Sequence, residues 1–271
     1  MKKLKNLMGI FFISTLFLTT TYANAGSRSA EVKAEVIRAD GAVSVTPVGG
    51  KKMVLVKGDI MPAKSIVETG ADGCVILKLM PGAVIFLEPD TRLNVDTLEM
   101  VKGTGAASSN AEVKLEKGAV ITDVTNKRVA LKVSTAHGTF STRSSTAEIA
   151  IGSMNISLLR GNGLFRGMDG RTVRLLRYWF FSSRYNRGQN SDMTRRLTAE
   201  DLTRLGRLLQ RMMGSRINEF RGLASFIDYL LLNPETVLNK WFGSDNRQGK
   251  HEEENDTESM QSAREASQAS P

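Results

Sequence analysis

Short apolar runs dominate the chain from residue 32 to residue 159. In segments such as 32–36 and 43–46, apolar and polar residues alternate. Alternation with a period of two is typical of strands that bury one face. Gly, Pro, Asp or Asn repeatedly interrupts the runs, most clearly between residues 54 and 95, and this favours turns over helices. We therefore predict an all-β domain, built as a sandwich or as a β-helix-like roll of short turn-and-strand units.

A weak internal repeat supports this interpretation. Gly-Ala-Val occurs at 41–43, 82–84 and 118–120, each time just before or within a strand-like run. Glycine adopts positive φ without a Cβ penalty, so these positions are predicted to be tight turns. Three matches of three residues do not establish a solenoid.

Several exposed turns are predicted along this domain. The small and polar residues of 102–111 indicate a surface loop. Thr69, Gly70 and Asp72 form another turn, which is a candidate interaction site. Because Asp favours turns by bonding its own backbone, an acid–base role for Asp72 is the weaker alternative.

The order and spacing of several motifs resemble the FecR domain, a periplasmic module of iron-uptake signalling proteins. The resemblance covers about residues 36–165. The motifs are Leu55-x-x-Gly58-Asp59-Ile60, Ile66-x-Glu68-Thr69-Gly70, Leu77-x-Leu79-x-Pro81-Gly82-Ala83-x-Ile85, Arg92-Leu93-x-Val95, Leu115-x-x-Gly118-x-Val120 and Val133-Ser134-Thr135-Ala136-His137-Gly138. The resemblance implies a periplasmic domain. The anti-sigma segment and transmembrane helix of FecR-type regulators are expected to be missing.

The pattern changes after residue 169. Residues 170–196 mix aromatic residues with arginines and are predicted to be a basic connecting segment; residues 197–243 show apolar stripes at helical spacing. We predict a small helical subdomain there, whose first helix is capped by Thr198 and Asp201 and whose arginines face solvent. The acidic residues 244–271 contain almost no large apolar side chains, so this tail is expected to be disordered.

Positive charge is concentrated in residues 170–250. This segment contains 15 basic and seven acidic residues, and thirteen of the basic residues are arginine. Such a surface suits phosphates or acidic polymers. The candidate surface for an anionic partner consists of Arg171, Arg174, Arg177, Arg204, Arg207 and Arg211. Interleaved aromatic residues and arginines can also bind single-stranded nucleic acid. Packing of the aromatics on the β core is the preferred interpretation, and no nucleic-acid partner is expected.

The N-terminus predicts export. Lys2, Lys3 and Lys5 precede an apolar run that ends near Thr20, and Ala23-Asn24-Ala25 matches a signal-peptidase site. Residues 1–25 are therefore predicted to be a signal peptide, and the run is short for a membrane-spanning helix. We expect the periplasm or cell envelope as the location, with secretion as the alternative.

Little in the sequence indicates catalysis. Only two histidines are present, His137 and His251, and no cluster of ligating residues accompanies them. Cys74 is the sole cysteine, and its usual role would be that of a small buried apolar residue. No phosphate-binding loop or nucleophile motif occurs. We expect no catalytic residues, cofactor or metal, and we expect that the protein is not an enzyme.

The prediction is therefore an exported, non-catalytic interaction module that contacts an envelope protein or an anionic envelope polymer. The alternative is a periplasmic signalling component related to FecR-type sigma regulation by outer-membrane transporters. The oligomeric state remains open.

Overall fold

The computed structural model describes residues 28–102, 108–152, 154–186, 189–214 and 221–239. Within these ranges the chain is mostly β-sheet, followed by helices, which confirms the predicted fold class. The predicted signal peptide 1–25, the centre of the 102–111 loop and the tail 244–271 lie outside the described residues. Among those residues, no helix is long and apolar enough to cross a lipid bilayer.

Seventeen strands are described before the first helix. They are β1 Arg28–Glu31, β2 Ala34–Asp40, β3 Val43–Thr46, β4 Met53–Val54, β5 Ile60–Met61, β6 Ser65–Thr69, β7 Cys74–Met80, β8 Ala83–Leu87, β9 Arg92–Lys102, β10 Ser108–Lys117, β11 Ala119–Val124, β12 Val129–Thr135, β13 Gly138–Ala150, β14 Asn155–Gly167, β15 Thr172–Leu175, β16 Trp179–Asn186 and β17 Gln189–Arg196.

The strands form one curled sheet whose neighbours are almost all antiparallel. Along one arm, β3 pairs with β6, β6 with β9, and β9 with β10. β10 then runs parallel to β12, which pairs with β13. Along the other arm, β13 pairs with β11, followed by β8, β7 and β2. The long strand β13 therefore joins both arms.

On its other edge β13 pairs with β14, which also pairs with β15 and β16. The segment 170–196, predicted to connect two domains, thus carries strands β15 to β17, which extend the sheet. Its aromatic residues pack as predicted, because Tyr178 and Phe181 are buried and the Phe181 ring centroid lies 4.8 Å from that of Phe165.

A short segment, residues 53–61, links the two arms. It runs from β4, which pairs with β3, to β5, which pairs with β2. We call it the closing segment. The amide of Leu55 donates to the carbonyl of Val43 at 3.1 Å, and the amide of Gly58 donates to the carbonyl of Val36 at 2.8 Å. The closing segment is therefore bonded to β3 on one side and to β2 on the other.

The glycines of the Gly-Ala-Val repeat have the predicted positive φ angles: 65° at Gly41, 84° at Gly82 and 83° at Gly118. At Gly41 a Cβ atom would also lie 2.3 Å from the carbonyl oxygen of Asp72. Glycine is required there both for the backbone conformation and for the close approach of another turn.

The inward faces of the strands enclose the main apolar core, in which fully buried residues such as Leu77, Leu93 and Phe140 meet. We call it the inner core. Strands that bury only this face alternate strictly, as β12 does. By contrast, β7, β8 and β11 are buried on both faces. Strands β7 and β8 are nearly continuous apolar runs, whereas β11 also buries Thr122 and Asp123.

The outer face of these three strands is covered by helix α1, Ala199–Met213, and helix α2, Arg221–Leu232. A further helical turn covers 234–239. Ile76, Phe86 and Ile121 contribute the sheet side of a second apolar cluster, and Leu205 and Leu209 belong to its α1 side. We call this second cluster the helix–sheet interface. The predicted helical stripes are therefore buried against the sheet as well as against each other.

Candidate functional site on helix α1

Helix α1 is held at its start by a capping box. The amide of Asp201 donates to the hydroxyl of Thr198 at 3.2 Å, and the amide of Thr198 donates to the carboxylate of Asp201 at 2.8 Å. Arg195 of β17 donates to both oxygens of that carboxylate, at 2.6 and 3.3 Å, and its guanidinium lies 4.3 Å from the ring centroid of Phe180. The first turn of α1 is thus tied to the sheet.

Further along α1, Arg204 reaches the sheet directly. Its two terminal nitrogens donate to the two carboxylate oxygens of Glu148 on β13, each at 2.7 Å. The Glu148 side chain is only 6% exposed and also accepts a hydrogen bond from Ser157 at 3.1 Å. Because the pair is bidentate and one partner is buried, Arg204 fixes the position of α1. This arginine was predicted to face solvent, and its side chain is 53% exposed while it makes this pair.

Glu88, which follows β8, lies close to this ion pair. Its Oε1 atom is buried and has no hydrogen-bond partner among the described residues. Burial, and secondarily the negative charge of Glu148, raises the pKa of Glu88 to about 7, while the charges of Arg204 and Arg211 act in the opposite direction. Sequence reasoning missed Glu88 and Glu148, because neither is near α1 in the chain.

The outward face of α1 presents two further arginines. Arg207 and Arg211 are exposed and line a shallow groove. Its other lining residues are Glu200, Asp201, Thr203, Arg204 and Gln210. Residues four apart lie on the same side of a helix. Neither arginine forms an ion pair within the described part of the chain. These two guanidinium groups remain able to bind an anion from solution.

The other three predicted arginines lie elsewhere. Arg171 forms an ion pair with Asp169 at 2.6 Å. The guanidinium of Arg177 lies 6.0 Å from the ring centroid of Tyr178. Arg174 is exposed on β15 and lines a different groove. The structure therefore brings Arg204, Arg207 and Arg211 together on α1 and separates them from Arg174.

The groove near Arg174 crosses five neighbouring strands. Strand pairing aligns one solvent-facing row across β10, β12, β13, β14 and β15, namely Glu112, Lys132, Ser141, Leu164 and Arg174. Lys132 lies 3.5 Å from the Glu112 carboxylate. Sequence reasoning missed this row, because only the strand register places these residues side by side.

The predicted interaction turn is largely used for folding. The Thr69 hydroxyl is buried; it donates to the carbonyl of Glu88 at 2.6 Å and accepts from the amide of Thr91 at 2.9 Å. The Gly70 amide donates to the carbonyl of Ala42 at 2.7 Å. Asp72 is exposed and accepts a long hydrogen bond of 3.4 Å from the Ala42 amide. Of the three, only Asp72 offers its side chain to a partner.

The remaining candidates for chemistry stand apart from one another. Within the described ranges, no three His, Cys, Asp or Glu residues gather as they would around a metal ion. The His137 amide donates to the hydroxyl of Thr135 at 3.1 Å. Cys74 is half-buried, and burial raises the pKa of its thiol. A raised pKa disfavours the reactive thiolate.

Comparison with known proteins gives a similarity to solved structures only. No family model matches the chain, and no curated protein matches it. Two crystal structures of a candidate anti-sigma factor from Parabacteroides distasonis ATCC 8503 are similar, with 15% identity and TM-scores of 0.42 and 0.39. They cover 53% and 49% of this chain. The chain spans 64% and 59% of the length of those proteins.

Proposed function

We propose that the protein is an exported, non-catalytic binding module of the cell envelope, which holds an anionic partner on the outward face of α1. One observation carries this proposal. Arg207 and Arg211 are exposed side by side without an ion pair among the described residues, while Arg195 and Arg204 hold the helix on the sheet. The site is thus cationic and also rigidly placed.

The chemistry of the site favours phosphate or carboxylate groups. A guanidinium group presents a planar set of donors that matches both anions, and it keeps its charge at any physiological pH. The partner would be an acidic envelope protein or a phosphate-bearing envelope polymer. Since both arginines are exposed, we expect the interaction to weaken as salt screens it.

The test measures binding of the chain without residues 1–25 to phosphate-bearing lipopolysaccharide at low and high salt. We expect salt-sensitive binding that Arg207→Gln/Arg211→Gln weakens about thirtyfold, since a charge-assisted contact contributes on the order of 1 kcal/mol for each arginine. The matched control is Arg143→Gln/Arg174→Gln, which removes the same charge from the groove across β10 to β15.

The control should bind like the unaltered protein. Equal weakening in both double variants would mean that only net charge matters, and this would overturn the assignment to α1. Binding that does not change with salt would overturn it as well.

The FecR resemblance of residues 36–165 favours a second candidate, a periplasmic signalling component that receives a signal from an outer-membrane transporter. The Thr69-Gly70 and Pro81-Gly82 motifs that carry the resemblance occur in turns between strands. Co-purification of the exported chain with a transporter, and its loss when the transporter gene is deleted, would support this candidate.

A further inference from the structure

The closing segment has an inward and an outward side. Leu55 and Met61 are 3% and 2% exposed and point into the protein. Val54, Val56 and Ile60 are 77%, 54% and 57% exposed. Leu55 belongs to the inner core, so packing fixes the segment and directs these three apolar side chains to solvent.

The exposed apolar side chains are concentrated in this part of the chain. Met53 and Val48 are also exposed, so that half of the ten large apolar residues exposed in the described part of the chain lie within 48–60. We call these five residues and the lysines beside them the 48–64 patch. Concentrated apolar exposure of this kind marks an interaction site, whereas scattered exposed residues need no explanation.

The charge of the 48–64 patch is cationic. Lys51, Lys57 and Lys64 are exposed, and none of them forms an ion pair with another described residue. Lys52 pairs with Glu68 at 2.6 Å. Within the sequence 48–64 the only acid is Asp59, whose carboxylate accepts the Val56 amide at 2.9 Å. Lys64 lines a separate groove with Glu31, Asp96 and Glu99, so Lys51 and Lys57 are the lysines that face a partner without the acidic neighbours of that groove. A partner would therefore meet apolar side chains and unpaired lysines.

We propose that the 48–64 patch docks on the surface of an anionic lipid bilayer. Its apolar side chains enter the boundary between headgroups and acyl chains, and its lysines neutralise lipid phosphates. The lysine content favours a bilayer over a protein partner. Protein interfaces are enriched in Arg and depleted in Lys, whereas residues 47–64 contain four Lys and no Arg.

The test is flotation of the chain without residues 1–25 with vesicles of phosphatidylcholine alone or with about one third phosphatidylglycerol. The protein should float with the anionic vesicles. We expect Val54→Ser/Ile60→Ser to lower the partition coefficient about tenfold on these vesicles, because the apolar contact is lost. Lys51→Gln/Lys57→Gln should lower it about thirtyfold, which corresponds to about 1 kcal/mol for each lysine near an anionic surface.

Two control variants make the result specific. Met168→Ser/Leu176→Ser removes two other exposed apolar side chains and should float like the unaltered protein. Arg143→Gln/Arg174→Gln, which removes two exposed cations from the groove across β10 to β15, should also float normally, so a loss of flotation in the lysine variant is not a general effect of net charge. All substituted side chains are exposed, and a thermal unfolding midpoint close to that of the unaltered protein confirms folding.

Three results would overturn the proposal. The first is the absence of flotation with anionic vesicles, and the second is normal flotation of Val54→Ser/Ile60→Ser. The third is a dimer in sedimentation velocity that this variant dissociates, because the 48–64 patch would then be an interface between two copies of the chain.

Discussion

The two faces of strands β7, β8 and β11 are both buried but differ in what covers them. On β7, Leu77 faces the inner core, and its neighbour Ile76 faces the helix–sheet interface. The inner core is built mainly from apolar side chains of the strands, together with Leu55 of the closing segment and Met154. The outer face is covered by separate helices that contribute Leu, Met and Ile.

Several charged groups lie beside the outer layer. Glu148, Arg204 and Glu88 lie where α1 meets the sheet, and the guanidinium of Arg38 donates to the carbonyl of Met212 near the end of the helix. The inner core depends on apolar burial, whereas α1 is positioned by burial together with a few directed polar contacts. The helix layer should therefore be the part that separates first and responds to pH.

The largest effect should come from shortening the two neighbouring side chains of β7. Leu77→Ala should lower the free energy of unfolding by about 4 kcal/mol, because it leaves a cavity in the inner core. Ile76→Ala should cost about 3 kcal/mol and loosen α1. Denaturant titration followed by circular dichroism would distinguish them.

Leu77→Ala should lose helix and strand signals together, whereas Ile76→Ala should lose the helix signal at a lower denaturant concentration. If both variants unfold in one identical transition, the two layers form a single cooperative unit and the contrast between them is wrong.

A smaller effect is expected when Arg204 is replaced by Met. Glu148 would then remain buried without its cation, and we expect a loss of about 2 kcal/mol at pH 8, since Arg204 itself is half exposed. The control is the double variant Arg204→Met/Glu148→Gln, which leaves no unpaired charge and should recover part of the loss. Equal stability of the single and double variants would show that the ion pair does not hold α1.

Much of the fold could be predicted from local patterns. Alternation identified half-buried strands such as β3, Gly-Ala-Val marked three turns with positive φ, and Thr198 with Asp201 marked the start of α1. These signals depend on residues close in sequence. The prediction of aromatic packing in 178–181 also held, because large aromatic side chains contribute strongly to burial.

The candidate site could be predicted only in part. The arginines of α1 were recognised from their type and spacing, but their separation into structural and free groups depends on distant partners. Arg204 meets Glu148 across 56 residues, and Arg195 meets Asp201 only because β17 leads directly into α1. Strand register and helix docking create these pairs, and neither can be read from one sequence.

The smallest stability effect should come from Glu88→Gln, and it should depend on pH. The folded pKa of about 7 lies above the usual value of 4.5, so the folded state retains a proton that the unfolded state loses. Between these two values the free energy of unfolding of the unaltered protein should fall as pH rises. Below 4.5 the side chain is protonated in both states and this penalty is absent, while above 7 it is fully present.

Glutamine cannot ionise, so Glu88→Gln should be more stable than the unaltered protein by about 1–2 kcal/mol at pH 8, and equally stable near pH 4. The gain is limited because the amide must be buried where Oε1 finds no hydrogen-bond partner among the described residues. Glu200→Gln, an exposed change on α1, is the control and should leave the pH dependence intact. Denaturant titrations at several pH values measure both. Because the charges of Glu148, Arg204 and Arg211 act on Glu88, an unchanged pH profile in Glu88→Gln would mean that α1 is not coupled to the protonation of this carboxyl group.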